Sequence, residues 1–280
     1  MMKIFYLTAF ALTAFAFNSI LCRMALATGE IDAASFTTIR LISGTLTLAT
    51  VLLASGKSRK LTTSGNWSSA FFLFAYAIAF SFAYLGLTTG TGALILFGCV
   101  QLTMFGVSLY RGMRPQVLEW LGLVVAFGGL IYLVLPGLAA PPLISALLMA
   151  AAGIAWGFYT LRGKGSDDPL ADTAGNFLRS MPMALVPGVL FVSTAQVSIR
   201  GAVLAALSGA IASGVGYSVW YAALKYHTPT RAGILQLSVP VIAAIGGIIL
   251  LAETASMRLL IAAPLVLGGI GLTLMNSKKA

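Results

Sequence analysis

AYAIAFSFAYLGLTTGTGALILFGCVQLT, residues 75–103, is an apolar run carrying Phe80, Tyr84 and Leu87 near helical spacing, a turn of small residues at 88–91, and a second apolar run holding Gln101. The chain repeats this plan downstream. Tyr217, Tyr221 and Leu224 stand at similar spacing, a turn covers 225–229, and the next run carries Gln236 and Pro240. Tyr84 and Tyr221 are 137 residues apart, close to half of the 280-residue chain, which points to an internal duplication. Other landmarks agree with it. Phe17 and Trp156, Arg23 and Arg162, and Arg40 and Arg179 are each 139 apart, and Gly128-Gly129 precede Gly268-Gly269 by 140.

Composition names the solvent of this chain. Apolar residues make up 59%, charged residues 9% and the mean hydropathy is +0.97, whereas about a quarter of a soluble domain is charged. It reads as an all-α integral membrane protein. About 20 apolar residues cross a bilayer as a helix, and ten segments qualify: 4–26, 33–55, 67–87, 91–110, 116–135, 142–161, 172–194, 201–224, 230–251 and 257–275. The first is read as a span and not as a removable leader, since Arg23 interrupts it and it has a counterpart 139 residues on. The duplication divides the chain into residues 1–136 and 137–280, five spans each.

The net charge of +10 would suggest nucleic acid in a soluble domain, but here the basic residues lie between apolar runs, so no nucleic-acid partner is expected. Twelve of the seventeen, Lys3, Lys57, Arg59, Lys60, Arg111, Arg114, Arg162, Lys164, Lys225, Arg231, Lys278 and Lys279, fall on one side if the N-terminus is cytoplasmic. Both termini are then inside. Five spans per half is odd, so the second half enters the membrane inverted, and inverted halves characterise transporters with a site near the midplane. The partners expected are a small molecule and the lipid bilayer.

Candidate site residues are those carrying rings or polar groups in mid-span. Tyr76, Phe80 and Tyr84 share a helix face, as do Tyr217, Trp220 and Tyr221. A tyrosine hydroxyl facing lipid lacks a partner, which favours a cavity over a lipid-facing belt. Trp156, between Gly153 and Gly157, lies where helices or a substrate approach closely. The amides Asn18, Gln101 and Gln236 need partners for the same reason, in another helix or a wet cavity. Tyr76, Phe80, Trp156, Tyr217 and Trp220, with Asn18 and Gln101, are expected to line one cavity where the halves meet, and Tyr84 and Gln236 are further candidates for substrate binding.

Arg40 and Arg179 lie within spans. They are expected to hold structural or gating ion pairs, Arg40 with Glu30 or Asp32 and Arg179 with Asp168 or Asp172. Pro182, Pro187 and Pro240 remove backbone bonds and permit bends. Gly122, Gly128 and Gly129, with Gly268, Gly269 and Gly271, read as close contacts bracing spans five and ten. No acid lies at mid-membrane, which argues against proton loading on a buried carboxylate. Cys22 and Cys99 fall in apolar runs, His227 is alone in a basic turn, and no metal, cofactor or catalytic residue is expected.

Two inverted five-span repeats, LAETASMRLLIAAPLVLGGIGL at 251–272 and the basic residue closing span one in NSILCRMALA at 18–27 together resemble the drug/metabolite transporter superfamily, in particular its EamA-type ten-helix exporters. Members carry Glu followed by Arg or Lys after span nine. Here Thr254 follows Glu253, and the matching first-half position is Met113. Tyr76 and Trp156 fall where amino-acid exporters of this type are similar. The resemblance implies export of amino acids, aromatic ones included, from a bacterial inner membrane. Cationic compounds are the rival cargo, attracted by ring faces.

Overall fold

A computed structural model describes residues 2–112, 116–135, 140–227, 232 and 235–276. Arg114, Arg231, Lys278, Lys279 and the boundary at 136/137 lie outside the described residues. The chain is helical, opening with α1 (Met2–Ala27), α2 (Ala33–Ala54), a short α3 (Lys60–Thr63), α4 (Trp67–Ala83), α5 (Thr89–Tyr110), α6 (Val117–Val134) and α7 (Leu143–Gly163). Then come α8 (Pro169–Leu190), α9 (Ile199–Leu207), a π-helical segment (Ser208–Val215), α10 (Gly216–Leu224), α11 (Ser238–Leu251) and α12 (Met257–Asn276). Helix covers all or part of every segment expected from hydropathy. Among the described residues, seven helices are long and apolar enough to cross a membrane, α9 through α10 forming one of them.

Boundaries move for local reasons. The third segment stops at Ala83, where Tyr84 caps the helix and a turn begins. The seventh starts early, because Asp168 accepts from Ala171 N–H and Pro169 opens the helix without forfeiting a bond. Pro182 and Pro187 sit inside α8 without breaking it. In the ninth segment the helix is interrupted at Leu237, ahead of Pro240 in the first turn of α11. Proline there has no N–H for the carbonyl of Gln236.

The packing carries a two-fold pattern. α6 lies along α12, α2 along α8 and α5 along α11. α4 packs on α7 as α1 packs on α10, and α5 on α7 as α1 on α11. Exchanging the halves maps each pairing onto itself or onto another. Glycine makes the closest of these contacts: a methyl on Gly122 would stand 2.5 Å from Gly269 O, and one on Gly269 would stand 2.5 Å from Gly122 O. The bracing of α6 by α12 thus uses Gly122, Gly129 and Gly269. Gly128, Gly268 and Gly271 instead have open space where a methyl would go, so they are not contact residues.

Loops knit the bundle at both ends by the same plan. At one end Asp32 N–H donates to Gln196 O at 2.9 Å and Ser198 N–H to Glu30 O at 2.8 Å, with Glu30 also near Arg200. At the other, Lys57 and Lys60 hold Asp168 at 3.1 and 2.8 Å, and Gly65 N–H donates to Asp172 at 3.1 Å. Lys60 first, and then Lys57, hold the Asp168 carboxyl down at about 2 against an opposing effect of burial. Arg179 does not pair with these acids. Its guanidinium donates to Ser64 O at 2.6 Å and Thr62 O at 2.7 Å, because carbonyls ending the short α3 have no helical partner while the acids are already engaged.

Candidate functional site

Arg40 sits in the middle of the bundle and is 1% exposed. Its Nη2 donates to Tyr217 Oη at 2.8 Å and Tyr76 Oη at 3.0 Å, and its Nε to Ser213 Oγ at 3.0 Å. The guanidinium carbon also lies 5.1 Å from the ring centres of Tyr76 and of Phe80. Glu30 and Asp32 are elsewhere: helix α2 carries Arg40 two turns inward from them, and both acids are consumed by the loop knot described above. The expected local ion pair is therefore replaced by hydroxyls and ring faces.

The cluster continues into α1. Asn18 Nδ2 donates to Tyr76 Oη at 2.9 Å, and Ser208 Oγ donates to Asn18 Oδ1 at 2.6 Å. Both serines that complete it, Ser208 and Ser213, belong to the π-helical segment. That segment lies hard against α2, since a methyl on Gly209 would collide with the Arg40 carbonyl. Segments of this kind recur at functional sites.

Rings surround the polar cluster. Trp156 has its centre 4.6 Å from Tyr217, 4.9 Å from Tyr76 and 5.3 Å from Tyr159, and Phe15 touches Trp156, Tyr217 and Trp220 edge-on at 5.7 to 6.0 Å. Asn18, Tyr76, Phe80, Trp156, Tyr217 and the unanticipated Phe15 line an internal cavity of about 10 Å³. This is room for about one water.

A second space opens toward the Lys225 end of the bundle. It has about 380 Å³ and is lined by Thr160, Lys164, Trp220, Tyr221, Lys225 and Gln236 among others. Trp220 and Gln236 thus stand in this chamber and not in the central cavity. Only one ring layer separates the two spaces, because Trp220 lines the chamber and touches Phe15, which lines the cavity. Gln101 ties the chamber wall to α5 by donating to Gln236 at 3.3 Å, and Tyr84 turns away to Thr89 O at 3.3 Å. Neither Gln101 nor Tyr84 lines the central cavity.

An ion pair ties the helices together at the opposite end. Arg23 Nε is 3.3 Å from Glu253, and Arg23 Nη1 donates to Tyr84 O at 2.9 Å. Glu253 also accepts from the Thr89 N–H at 2.8 Å, at the start of α5, where a helix dipole favours an anion. The sequence departure at Thr254 leaves this role of Glu253 intact. Arg162, the counterpart of Arg23, lies at the chamber end and, among the described residues, donates to the hydroxyls of Ser68 and Ser69.

The seven carboxylates of the chain all sit at helix ends or in loops. Beyond those already placed, Glu119 accepts from Gln116 N–H at 2.7 Å at the start of α6, and Asp167 adjoins Asp168. None reaches Arg40. No group of three or more His, Cys, Asp or Glu side chains is placed to hold a metal among the described residues.

Comparison with known proteins follows the same lines. Residues 143–275 match the EamA-like transporter family. An uncharacterized protein of Pseudomonas aeruginosa is 50% identical over 268 residues, which cover 96% of this chain and 93% of that one. A protein solved by crystallography shares the fold with a TM-score of 0.69, over 98% of this chain and 99% of its own, at 17% identity.

Proposed function

We propose, from the premise that this chain belongs to the EamA-like transporter family, that it exports small metabolites, amino acids and aromatic ones among them, by alternating access across a bacterial inner membrane. It is a multi-pass membrane protein, and its family is one of transporters. The observation that carries the finer reading is the ring-walled cavity, to which α1 and α4 bring Phe15, Asn18 and Tyr76 while α7 and α10 bring Trp156 and Tyr217. A site shared between the halves changes access when one half rocks on the other.

With both termini cytoplasmic, the chamber faces the cytoplasm and the Arg23–Glu253 pair closes the far side, as an exporter awaiting cargo requires. Apolar and aromatic walls accept varied side chains, and a few polar groups orient the common end of the cargo. The test is uptake of labelled metabolites by proteoliposomes holding the purified protein. Aromatic amino acids are expected to enter faster than into protein-free liposomes. Equal entry for every metabolite in the panel would overturn the reading.

A further inference from the structure

The geometry points to an anionic cargo: a carboxylate carried on an apolar or aromatic body, with its charged end taken at Arg40. This deepens the transport reading above and rests on it. A guanidinium is always charged, and a buried charge without a partner is costly. Arg40 has no countercharge among the described residues, since all seven Asp and Glu side chains lie at helix ends or in loops and none pairs with it. Hydroxyls and ring faces hold it, and its Nη1 makes no hydrogen bond although fully buried. Tyr76, Phe80 and Tyr217, which contact the guanidinium, line the central cavity. Arg40 is not itself in that lining and the cavity holds about one water, so an anion reaches the guanidinium only when these ring walls part, and it then supplies both the missing acceptor and the missing charge.

A second observation points the same way. Trp220 Nε1, a group that can only donate, is also buried without a partner, and Trp220 lines the chamber. Lys164 and Lys225 line that chamber, and no carboxylate does among the described residues. Two buried donors without acceptors, Trp220 Nε1 at the chamber wall and Arg40 Nη1 at the centre, thus stand at the two ends of this route. A cation on this route meets positive charge at the mouth and again at the centre, and finds no acid to hold it.

The experiment uses the intact protein in liposomes, with uptake of labelled phenylalanine as readout and two analogues as competitors. 3-Phenylpropionate keeps the carboxylate and loses the ammonium, and phenethylamine does the reverse. Competition by the acid and none by the amine is the expected result. A competing amine, or an acid that does not compete, overturns the inference while leaving the transport reading in place. If no phenylalanine enters, the wild type is scored on 3-phenylpropionate uptake, and failure there too overturns both. Arg40→Gln is expected to weaken competition by the acid roughly tenfold to a hundredfold, the loss when hydrogen bonds to a charged group go. If that variant does not fold, the wild-type pair of analogues still decides. Trp220→Phe keeps a ring and removes the donor, and is expected to weaken competition by the acid, whereas unchanged competition would take Trp220 off the anion's route.

Discussion

The hydroxyl oxygens of Tyr76 and Tyr217 lie 3.2 Å apart although the residues are 141 positions apart in sequence. Tyr76 comes from α4 and Tyr217 from α10, the corresponding helices of the two halves, and both accept from the same Arg40 nitrogen. The halves therefore touch through a shared cation. Tyr217→Phe keeps the ring packing on Trp156 and removes one acceptor from Arg40. Transport is expected to fall severalfold while membrane abundance changes little, measured side by side by uptake and immunoblot.

Trp156 is 3% exposed and ringed by aromatic neighbours. Truncation to alanine costs about 3–5 kcal/mol at such a site, enough to lower folded yield by itself. Trp156→Phe avoids most of that loss. It is expected to remain abundant and to transport aromatic amino acids more slowly than small ones, read from the ratio of the two uptake rates. An unchanged ratio would remove Trp156 from the cargo's path.

Glu253→Gln keeps an acceptor for Thr89 N–H but removes the charge facing Arg23. The pair is mostly buried, at 20% and 11% side-chain exposure, so about 1–3 kcal/mol of stability is expected to go. The melting temperature in detergent should fall, and a cysteine placed at Leu85 should react faster with a membrane-impermeant thiol reagent from the side on which that end faces.

Asp168 carries the acid sensitivity of the chamber end. Its carboxyl is lowered from 3.8 to about 2 by Lys60 and Lys57. A lowered value means that the stabilisation is complete above the unfolded value and is lost as pH falls through the folded one, so the window runs from about pH 4 down to about pH 2. Asp168→Asn still caps Ala171 but has no charge to lose. Thermal melts of the two proteins are expected to converge across that window, and parallel curves would assign the acid limb elsewhere.

Sidedness is open to direct chemistry. With the buried Cys22 and the half-buried Cys99 replaced, Lys60→Cys is expected to resist impermeant reagents in intact cells and Thr194→Cys to react. Labelling of Lys60→Cys alone would invert the orientation.

Hydropathy located the helices because lipid leaves few places for unpaired polar groups, and Tyr76, Trp156 and Tyr217, with Phe80 on the face of Tyr76, were legible as wall residues because a polar-tipped ring at mid-span needs a neighbour. The partners of Arg40 were not legible. Ser208 and Ser213 are five residues apart, which places them about 140° apart on an α-helix of 3.6 residues per turn. Read at that period they face different ways. In the i→i+5 bonding of the π-helical segment they come round to the same cluster. The division between cavity and chamber was missed for a related reason: Tyr217 and Trp220 share a face, but one turn of rise separates their surroundings.

That segment also has a mechanical meaning. A wide turn stores one residue of slack, and returning it to i→i+4 bonding turns everything beyond Gly216 through roughly 100° relative to Ser208. Tyr217 would leave the guanidinium and Trp220 would leave the chamber wall in the same stroke. These eight residues thus join the charge at the centre to the ring wall beside it, and a change in their winding would displace both together.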